Sequence, residues 1–187
     1  MNSTQALTRL QEGNKRFVAE KLEGKHTDNK RRKELLKGQE PFAIVLSCAD
    51  SRIVPELAFD TGLGELFVVR VAGNIANTES IASIEYAVAY LETKLIVVLG
   101  HESCGAVTAA IKGGNNGNNL NKLLEHISPA IKQSGKSADV NEVARTNVLL
   151  TAKELVAKST IIANAIKNKG LKILPAFYHL ETGEVTF

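Results

Sequence analysis

The amino-acid sequence predicts an α/β fold with a mainly parallel central sheet, an antiparallel C-terminal edge, flanking helices and an N-terminal helical arm. Three short apolar runs, at 42–47, 66–71 and 95–99, lack polar alternation, which is typical of strands buried on both faces. Helical stretches separate these runs, as parallel connections require. A Glu-Thr-Gly turn at 181–183 precedes a last short strand, so we expect a closing hairpin.

The helices follow from periodicity and composition. Residues 3–20 predict a polar helix, and residues 80–91 predict an amphipathic one because apolar positions recur at helical spacing. The Gly- and Asn-rich residues 113–119 predict a loop, since they favour neither helix nor strand. A long helix is predicted over 141–158.

The last part of the chain predicts a short helix and the closing strands. Ser159 or Thr160 is expected to cap this helix, which ends near Gly170. A fourth strand is predicted over 171–179 and the hairpin strand over 184–187. The hairpin makes the sheet mixed.

Length and charge set broad limits. With 187 residues, of which 44% are apolar, the chain is long enough for one domain with a sizeable core. We expect a single domain over 1–187, with the arm at 1–35 and the α/β core at 36–187. The net charge of +3 is too small to indicate nucleic-acid binding, and we interpret the basic run at 30–33 as a solvated helix face.

The N-terminal residues indicate the compartment. The first ten residues are mixed polar, and no apolar stretch approaches the ~18 residues that a membrane span needs. The sequence therefore predicts a cytoplasmic protein without membrane association. A signal peptide that had been removed would leave the same sequence.

Two cysteines and one histidine follow two of the predicted strands. Cys48 comes directly after the first strand, and His101 and Cys104 follow the third across Gly100. Because ligands bind at the carboxyl ends of strands in open α/β sheets, we expect these side chains to converge. The other histidines, His26, His126 and His179, lie in unrelated contexts.

The converging residues suit a catalytic zinc ion. Zinc prefers sulfur and nitrogen ligands, and a catalytic site keeps three protein ligands and an open fourth position. Cys48, His101 and Cys104 predict this Cys2His set. We expect an extended segment to place Asp50 and Arg52 on the same side, where Asp50 accepts a hydrogen bond from zinc-bound water and Arg52 orients Asp50.

Three alternatives remain at this point. The first is that the cysteines are core residues, since either cysteine alone is more often a core residue than a ligand. The second is a non-catalytic zinc protein, which would use the metal only to stabilise the fold. The Asp50 and Arg52 pair argues against that alternative, because a structural ion needs no oriented carboxylate. A thiol redox protein is the third, but the sequence has no Cys-x-x-Cys motif.

The sequence resembles the β-class carbonic anhydrases. Its Cys-x-Asp-x-Arg and His-x-x-Cys motifs correspond to that family's zinc signature. The resemblance covers nearly the whole chain and continues through GELFVVR at 64–70, AGN at 72–74, SIEYAV at 83–88 and GEVTF at 183–187.

The resemblance implies reversible hydration of carbon dioxide to bicarbonate and a proton, by attack of zinc-bound hydroxide. One zinc ion per chain would be held by Cys48, His101 and Cys104, with Asp50 and Arg52 as the catalytic dyad. In some members the counterpart of Asp50 swings onto the metal. Enzymes acting on carbon disulfide or carbonyl sulfide share these ligands, so they are the nearest alternative.

The resemblance also implies substrate-binding residues. The plant-like (type I) subgroup lines its cleft with a glutamine, a phenylalanine and a tyrosine, which correspond to Gln39, Phe67 and Tyr86. We add Gly105, which follows the second cysteine. Without the resemblance, Phe67 and Tyr86 would be interpreted as core packing. The other subgroup has an inhibitory bicarbonate pocket with a tryptophan where this chain has Val45, so we expect no such pocket.

The family's assembly implies a homodimer or tetramer. Its N-terminal helices embrace the neighbouring subunit, and both chains contribute residues to each cleft. The expected partners are therefore carbon dioxide or bicarbonate and further copies of this chain.

Overall fold

The computed structural model describes residues 1–135 and 137–187. The strands are β1 (Ala43–Ser47), β2 (Leu66–Arg70), β3 (Leu95–His101), β4 (Lys172–Tyr178) and β5 (Val185–Thr186). The helices are α1 (Ser3–Val18), α2 (Asn29–Glu34), α3 (Pro55–Ala58), α4 (Thr78–Tyr90), α5 (Gly105–Lys112), α6 (Asn118–Glu125), α7 (Ser128–Ser134), α8 (Val140–Lys158) and α9 (Thr160–Lys169).

The strands form one sheet in the order β2-β1-β3-β4-β5. β1 pairs in parallel with β2 and β3, β3 pairs in parallel with β4, and only β5 is antiparallel. The predicted fold class is thus confirmed, including the closing hairpin. Ser47 pairs with both Arg70 and Leu99, so the carboxyl ends of three strands meet at one edge.

The two faces of the sheet bury separate cores. The face that we call the site face packs against α4, α5, α8 and α9 and includes Ile44, Leu46, Ile96 and Val98. The face that we call the arm face packs against α1 and includes Ala43, Val45, Val97 and Leu99. Alternate residues of one strand reach opposite faces, which explains why these strands show no polar alternation.

The arm helix is fixed to its own chain by a buried amide. Asn2 begins α1 with a capping box, and Ala6 and Leu10 bury its apolar side in the arm-face core. Asn14 donates to the carbonyl oxygens of Ala58 and Gly183 and accepts from the Val185 amide. These three bonds connect α1 to α3 and to the C-terminal hairpin.

Most predicted element bounds agree with the structure to within two residues. Ser159 caps α9 by accepting from the Ile162 amide, and Gly170 ends it with a φ of 70°. The basic run lies on α2 and is largely exposed, as predicted. The loop prediction at 113–119 is wrong at its end, because α6 already begins at Asn118.

Several short helices carry no clear periodic signal in the sequence. α3, α5 and α7 have between four and eight residues, too few to show helical periodicity. They form because tertiary packing stabilises them. Within the described ranges, none of the helices has the combined length and apolar character that crossing a membrane demands.

Candidate metal centre

Three side chains that are distant in sequence meet at the carboxyl edge of the sheet. Cys48 follows β1, His101 ends β3, and Cys104 is the N-cap residue of α5. One ligand atom from each lies within 4.8 Å of the other two, and all three residues are buried. The predicted convergence therefore occurs, because β1 and β3 are neighbours in the parallel sheet.

The geometry fits a small tetrahedral metal ion. The sulfurs of Cys48 and Cys104 lie 4.0 Å apart. Two sulfurs bound to tetrahedral zinc at about 2.3 Å would lie about 3.8 Å apart. His101 Nε2 is buried and has no hydrogen-bond partner among the described residues. A buried nitrogen without a partner is costly, and a metal ion at the centre of the three ligand atoms would satisfy it.

The backbone fixes the orientation of the histidine ring. His101 Nδ1 lies 2.7 Å from the Glu102 carbonyl oxygen, to which only a protonated nitrogen can donate. Nε2 then carries the free lone pair. This is the arrangement that metal-bound histidines typically show, since the second nitrogen is held by an acceptor.

The Cys48 and Cys104 side chains affect each other's pKa. The hydrogen bond between the two sulfurs lowers the pKa of Cys48 to about 4, against the opposing effect of burial. The same contact, together with burial, raises the pKa of Cys104. The sulfur–sulfur contact thus shifts the pKa values of the two cysteines in opposite directions. A divalent cation allows both to ionise, because each thiolate then faces a positive charge.

Asp50 and Arg52 form a two-pronged ion pair beside the three ligands. Arg52 Nε donates to Asp50 Oδ1 at 2.9 Å and Nη2 donates to Oδ2 at 2.8 Å. These bonds from Arg52 hold the pKa of the Asp50 carboxyl well below its usual range. Oδ2 lies 3.9 Å from His101 Nε2, so an ionised oxygen faces the metal position.

The segment that carries the pair is a turn, so the prediction of an extended segment is wrong. The Asp50 carbonyl oxygen accepts from the Ile53 amide, and Asp50 Oδ1 accepts from the Arg52 amide. An aspartate favours this geometry because its short side chain can bond the backbone two residues on. The turn, rather than strand alternation, brings the carboxylate and the guanidinium together.

Two arginines attach this turn to its neighbours. Arg70, at the end of β2, donates to the carbonyl oxygens of Cys48 and Asp50. Arg52 Nη2 also donates to the Ser103 carbonyl oxygen, which links the two motifs directly. The sequence prediction did not include Arg70 in the site, although its place at the end of the neighbouring strand is a signal that could have found it.

A second side-chain contact supports the loop after β3. His179 Nδ1 lies 2.9 Å from Glu102 Oε1, and Glu102 Oε2 accepts from the Leu180 amide. These contacts, led by His179, lower the pKa of the Glu102 carboxyl. The prediction that His179 lies in an unrelated context is therefore wrong. His179 is not among the ligands, but it holds the residue next to His101.

The predicted substrate-binding residues do not all lie at this centre in a single chain. Gly105 begins α5 beside Cys104, with open space next to its Cα. Phe67 pairs in register with Ile44. Because Ile44 is four residues before Cys48, the strand separates Phe67 from the centre by roughly 13 Å.

The other two predicted cleft residues are exposed to solvent. Tyr86 packs against Phe67, with ring centroids 6.3 Å apart, and is 47% exposed. Gln39 lines a polar groove together with Arg9 and Lys94, before β1 begins. Gln39, Phe67 and Tyr86 thus lie toward the opposite end of the strands from the two cysteines.

Known proteins share both the sequence and the fold. A family model described as carbonic anhydrase matches residues 43–185. "Carbonic anhydrase 2" of Mycobacterium tuberculosis is 39% identical over 189 aligned residues, which cover 97% of this chain and 91% of the relative.

Solved structures give the same result. The β-carbonic anhydrase CcaA is 31% identical with a TM-score of 0.75, covering 96% of this chain and 86% of its own. A tetrameric β-carbonic anhydrase from Sordaria macrospora is 28% identical with a TM-score of 0.77, covering 83% and 84%. A carbon disulfide hydrolase is 18% identical with a TM-score of 0.56, covering 84% and 86%, so it shares the fold alone.

Proposed function

This chain belongs to the β-class carbonic anhydrase family, and on that premise we propose that Cys48, His101 and Cys104 hold one zinc ion. The chain is a carbonic anhydrase, which catalyses the reversible hydration of carbon dioxide to bicarbonate and a proton. A single observation carries the metal proposal: three ligand atoms converge within 4.8 Å, and one of them is a buried nitrogen that has no hydrogen-bond partner in the part of the chain that the structure describes.

The residues around the centre have separate roles in the reaction. When bound, zinc would supply Lewis acidity and lower the pKa of a water molecule at the site. Asp50 Oδ2 accepts a hydrogen bond from the reacting water and so orients its lone pair toward carbon dioxide. Arg52 keeps Asp50 ionised and holds it at its present distance from the ligands. A structural metal site would need neither residue, which supports a catalytic role.

Substrate contacts are proposed to come from two chains. Gly105 lies beside the centre of its own chain. Gln39, Phe67 and Tyr86 lie about a strand's length away, so we propose that they complete the cleft of a partner subunit. The glutamine amide would donate to a substrate oxygen, and the two rings would form an apolar slot that suits a small nonpolar gas.

This arrangement requires at least a homodimer, and a tetramer would satisfy it equally. Phe67, Tyr86 and Tyr90 form a row with neighbouring centroids 6.3 and 5.4 Å apart, and the exposure of the two tyrosines supports such an interface. Exposed aromatic residues are enriched at protein interfaces. The structure from Sordaria macrospora is described as tetrameric.

We also propose membership of the plant-like (type I) subgroup. Val45 stands where the other subgroup has its tryptophan, and Val45 is fully buried in the arm-face core. The single domain over 1–187, with its arm at 1–35, stays a prediction, as does the cytoplasmic location.

The decisive experiment pairs metal analysis with stopped-flow carbon dioxide hydration on the same samples. Wild type is expected to hold one zinc ion per chain, and Cys104→Ser to lose most of the metal and the activity together. Serine removes the soft thiolate that zinc prefers. Ser51→Ala is the matched control, because Ser51 lies in the neighbouring turn but is exposed and outside the ligand set.

Two outcomes would contradict the proposal in different ways. Full zinc occupancy and activity in Cys104→Ser would reject the ligand assignment. A zinc-replete wild type without carbon dioxide hydration would reject the reaction while leaving the metal site intact.

A further inference from the structure

The two cysteine sulfurs receive support from different parts of the chain. Cys104 is the N-cap residue of α5, so its sulfur lies at the positive end of its own helix. The Cys48 sulfur instead accepts a hydrogen bond from the Gly73 amide at 3.3 Å. Gly73 comes 25 residues later, in the turn between β2 and α4.

That turn has a conformation that the backbone does not adopt freely. Gly73 has a φ of 73° and Asn74 a φ of 43°, two consecutive residues in the left-handed region. Glycine tolerates this region, and a Cβ at position 73 would lie 2.9 Å from Ile127 Cδ1. Asn74 is only 3% exposed, so its less favourable conformation is enclosed by the structure. Such a turn persists only where surrounding contacts hold it.

One side-chain contact that holds this turn comes from α8. Asn147 Nδ2 donates to the Gly73 carbonyl oxygen at 2.8 Å, and Asn147 is 2% exposed. This bond fixes the peptide on the carboxyl side of Gly73, while the peptide on its amino side donates to sulfur. A buried chain of two hydrogen bonds therefore connects α8 to one ligand of the metal centre.

We propose that Asn147 is a positioning residue of the metal centre, which aims the Gly73 amide at the Cys48 sulfur. This inference rests on the proposed zinc site. Hydrogen bonds to a metal-bound thiolate draw charge from the sulfur and orient it, and loss of such outer contacts typically costs 10- to 100-fold in metal affinity. Asn147 touches neither metal nor substrate, so it acts only through Gly73.

Asn14 provides a matched control on the opposite face of the sheet. Its side-chain amide is also buried and also donates to backbone carbonyl oxygens, those of Ala58 and Gly183. Among the described residues, its hydrogen bonds reach Ala58, Gly183 and Val185 and none of the metal-centre side chains. Loss of either amide leaves buried carbonyl oxygens without a partner, so both substitutions should destabilise the fold. Only the loss of Asn147 should change the metal site.

The test uses cobalt(II) in place of zinc, because thiolate-to-cobalt charge-transfer absorption reports directly on the sulfurs. Full-length wild type, Asn147→Ala and Asn14→Ala are loaded with cobalt, and the band and the rate of loss to a chelator are recorded. Asn147→Ala is expected to shift the band and to lose cobalt about 10- to 100-fold faster. Asn14→Ala is expected to match wild type in both.

Asn147→Asp is the second variant, since it keeps the shape of the side chain but an ionised carboxylate has no hydrogen to donate to the Gly73 carbonyl oxygen. It should reproduce the effect of Asn147→Ala, and it decides the question if the alanine variant fails to fold. A wild-type band and loss rate in the Asn147 variants would overturn the inference, as would equal changes in Asn14→Ala. Absence of a thiolate band in wild type would instead reject the proposed metal site.

Discussion

Two turns in this chain each hold an aspartate against an arginine, at the metal centre and beneath the arm. Asp50 pairs with Arg52 in the turn after β1, and Asp60 pairs with Arg16 of α1 in the loop after α3. The side chain of Asp60 is 3% exposed, and its oxygens also accept from the amides of Glu23 and Gly24. The Asp50 side chain is 15% exposed and keeps Oδ2 facing the ligand cluster.

The difference shows that the same type of ion pair, aspartate with arginine, has two different roles in this chain. At Asp60 every contact is made within the folded chain, so the pair connects the arm to the core. At Asp50 the pair fixes the carboxylate but leaves one oxygen 3.9 Å from His101 Nε2. We therefore expect removal of the Asp60 charge to affect stability alone, and removal of the Asp50 charge to affect the chemistry as well.

The largest expected effect is the loss of carbon dioxide hydration activity in the Asp50→Asn variant. The amide can present a donor where the reacting water needs an acceptor, so kcat/KM should fall about 100- to 10,000-fold. Zinc content should stay at one per chain, and the free energy of unfolding should also fall, because the ion pair with Arg52 that lowers the pKa of Asp50 is lost. Stopped-flow hydration, metal analysis and urea unfolding measure the three quantities. A near-normal hydration rate would reject the role of Asp50.

The Arg52→Ala variant keeps the charge of Asp50 but removes the group that orients its carboxylate. Without the guanidinium, Asp50 is free to move onto the metal and close the open position, so this variant should also be slow. Metal-edge absorption distinguishes the two variants, because Arg52→Ala should gain a carboxylate ligand whereas Asp50→Asn should not. Identical spectra for both would show that Arg52 does not restrain the carboxylate.

The next effect is the stability lost in Asp60→Asn. The substitution removes the charge that Arg16 pairs with, at a cost of about 1.5–3 kcal/mol in unfolding free energy. Activity per folded zinc-loaded chain should match wild type, because Asp60 lies away from the metal centre. Urea unfolding together with the hydration assay checks both statements. A loss of activity without a loss of stability in Asp60→Asn would contradict the structural role that we give to Asp60.

The pH dependence of the stability lost in Asp60→Asn follows from the pKa of Asp60. Burial alone would raise that pKa, but Arg16 and the amides of Glu23 and Gly24 outweigh it, so the folded-state value is lowered. Its stabilisation is therefore complete above the unfolded value of about 3.9 and disappears as the pH falls through the folded value. The difference in urea midpoint between wild type and Asp60→Asn should be constant from pH 7 to 5 and shrink below about pH 4.

The smallest expected effect is the response to bicarbonate. Val45 is buried on the arm face, beside Val97, rather than at the metal centre. A second bicarbonate pocket at this position would require the arm-face core to open. A bicarbonate titration of the hydration rate should therefore show simple hyperbolic inhibition. A steep sigmoidal loss of activity, with bicarbonate bound away from the metal, would show that the arm face does carry a regulatory site.

The sequence by itself determined the sheet, its closing hairpin and the convergence of Cys48, His101 and Cys104. These features depend on local information: apolar runs specify buried strands, and a residue that follows a parallel strand lies at the sheet's carboxyl edge. The capping residue Ser159 and the terminal Gly170 are local signals too, since a side chain within a few residues satisfies the helix end.

Only the tertiary structure decided how the ligands are supported. Asn147 lies 74 residues from Gly73, and His179 lies 77 from Glu102, so no short window contains either pair. The turn at Asp50 likewise depends on a side chain bonding the backbone, which strand alternation does not anticipate. A hydrogen bond between distant residues requires helices and strands that are already packed, and sequence spacing does not specify that packing.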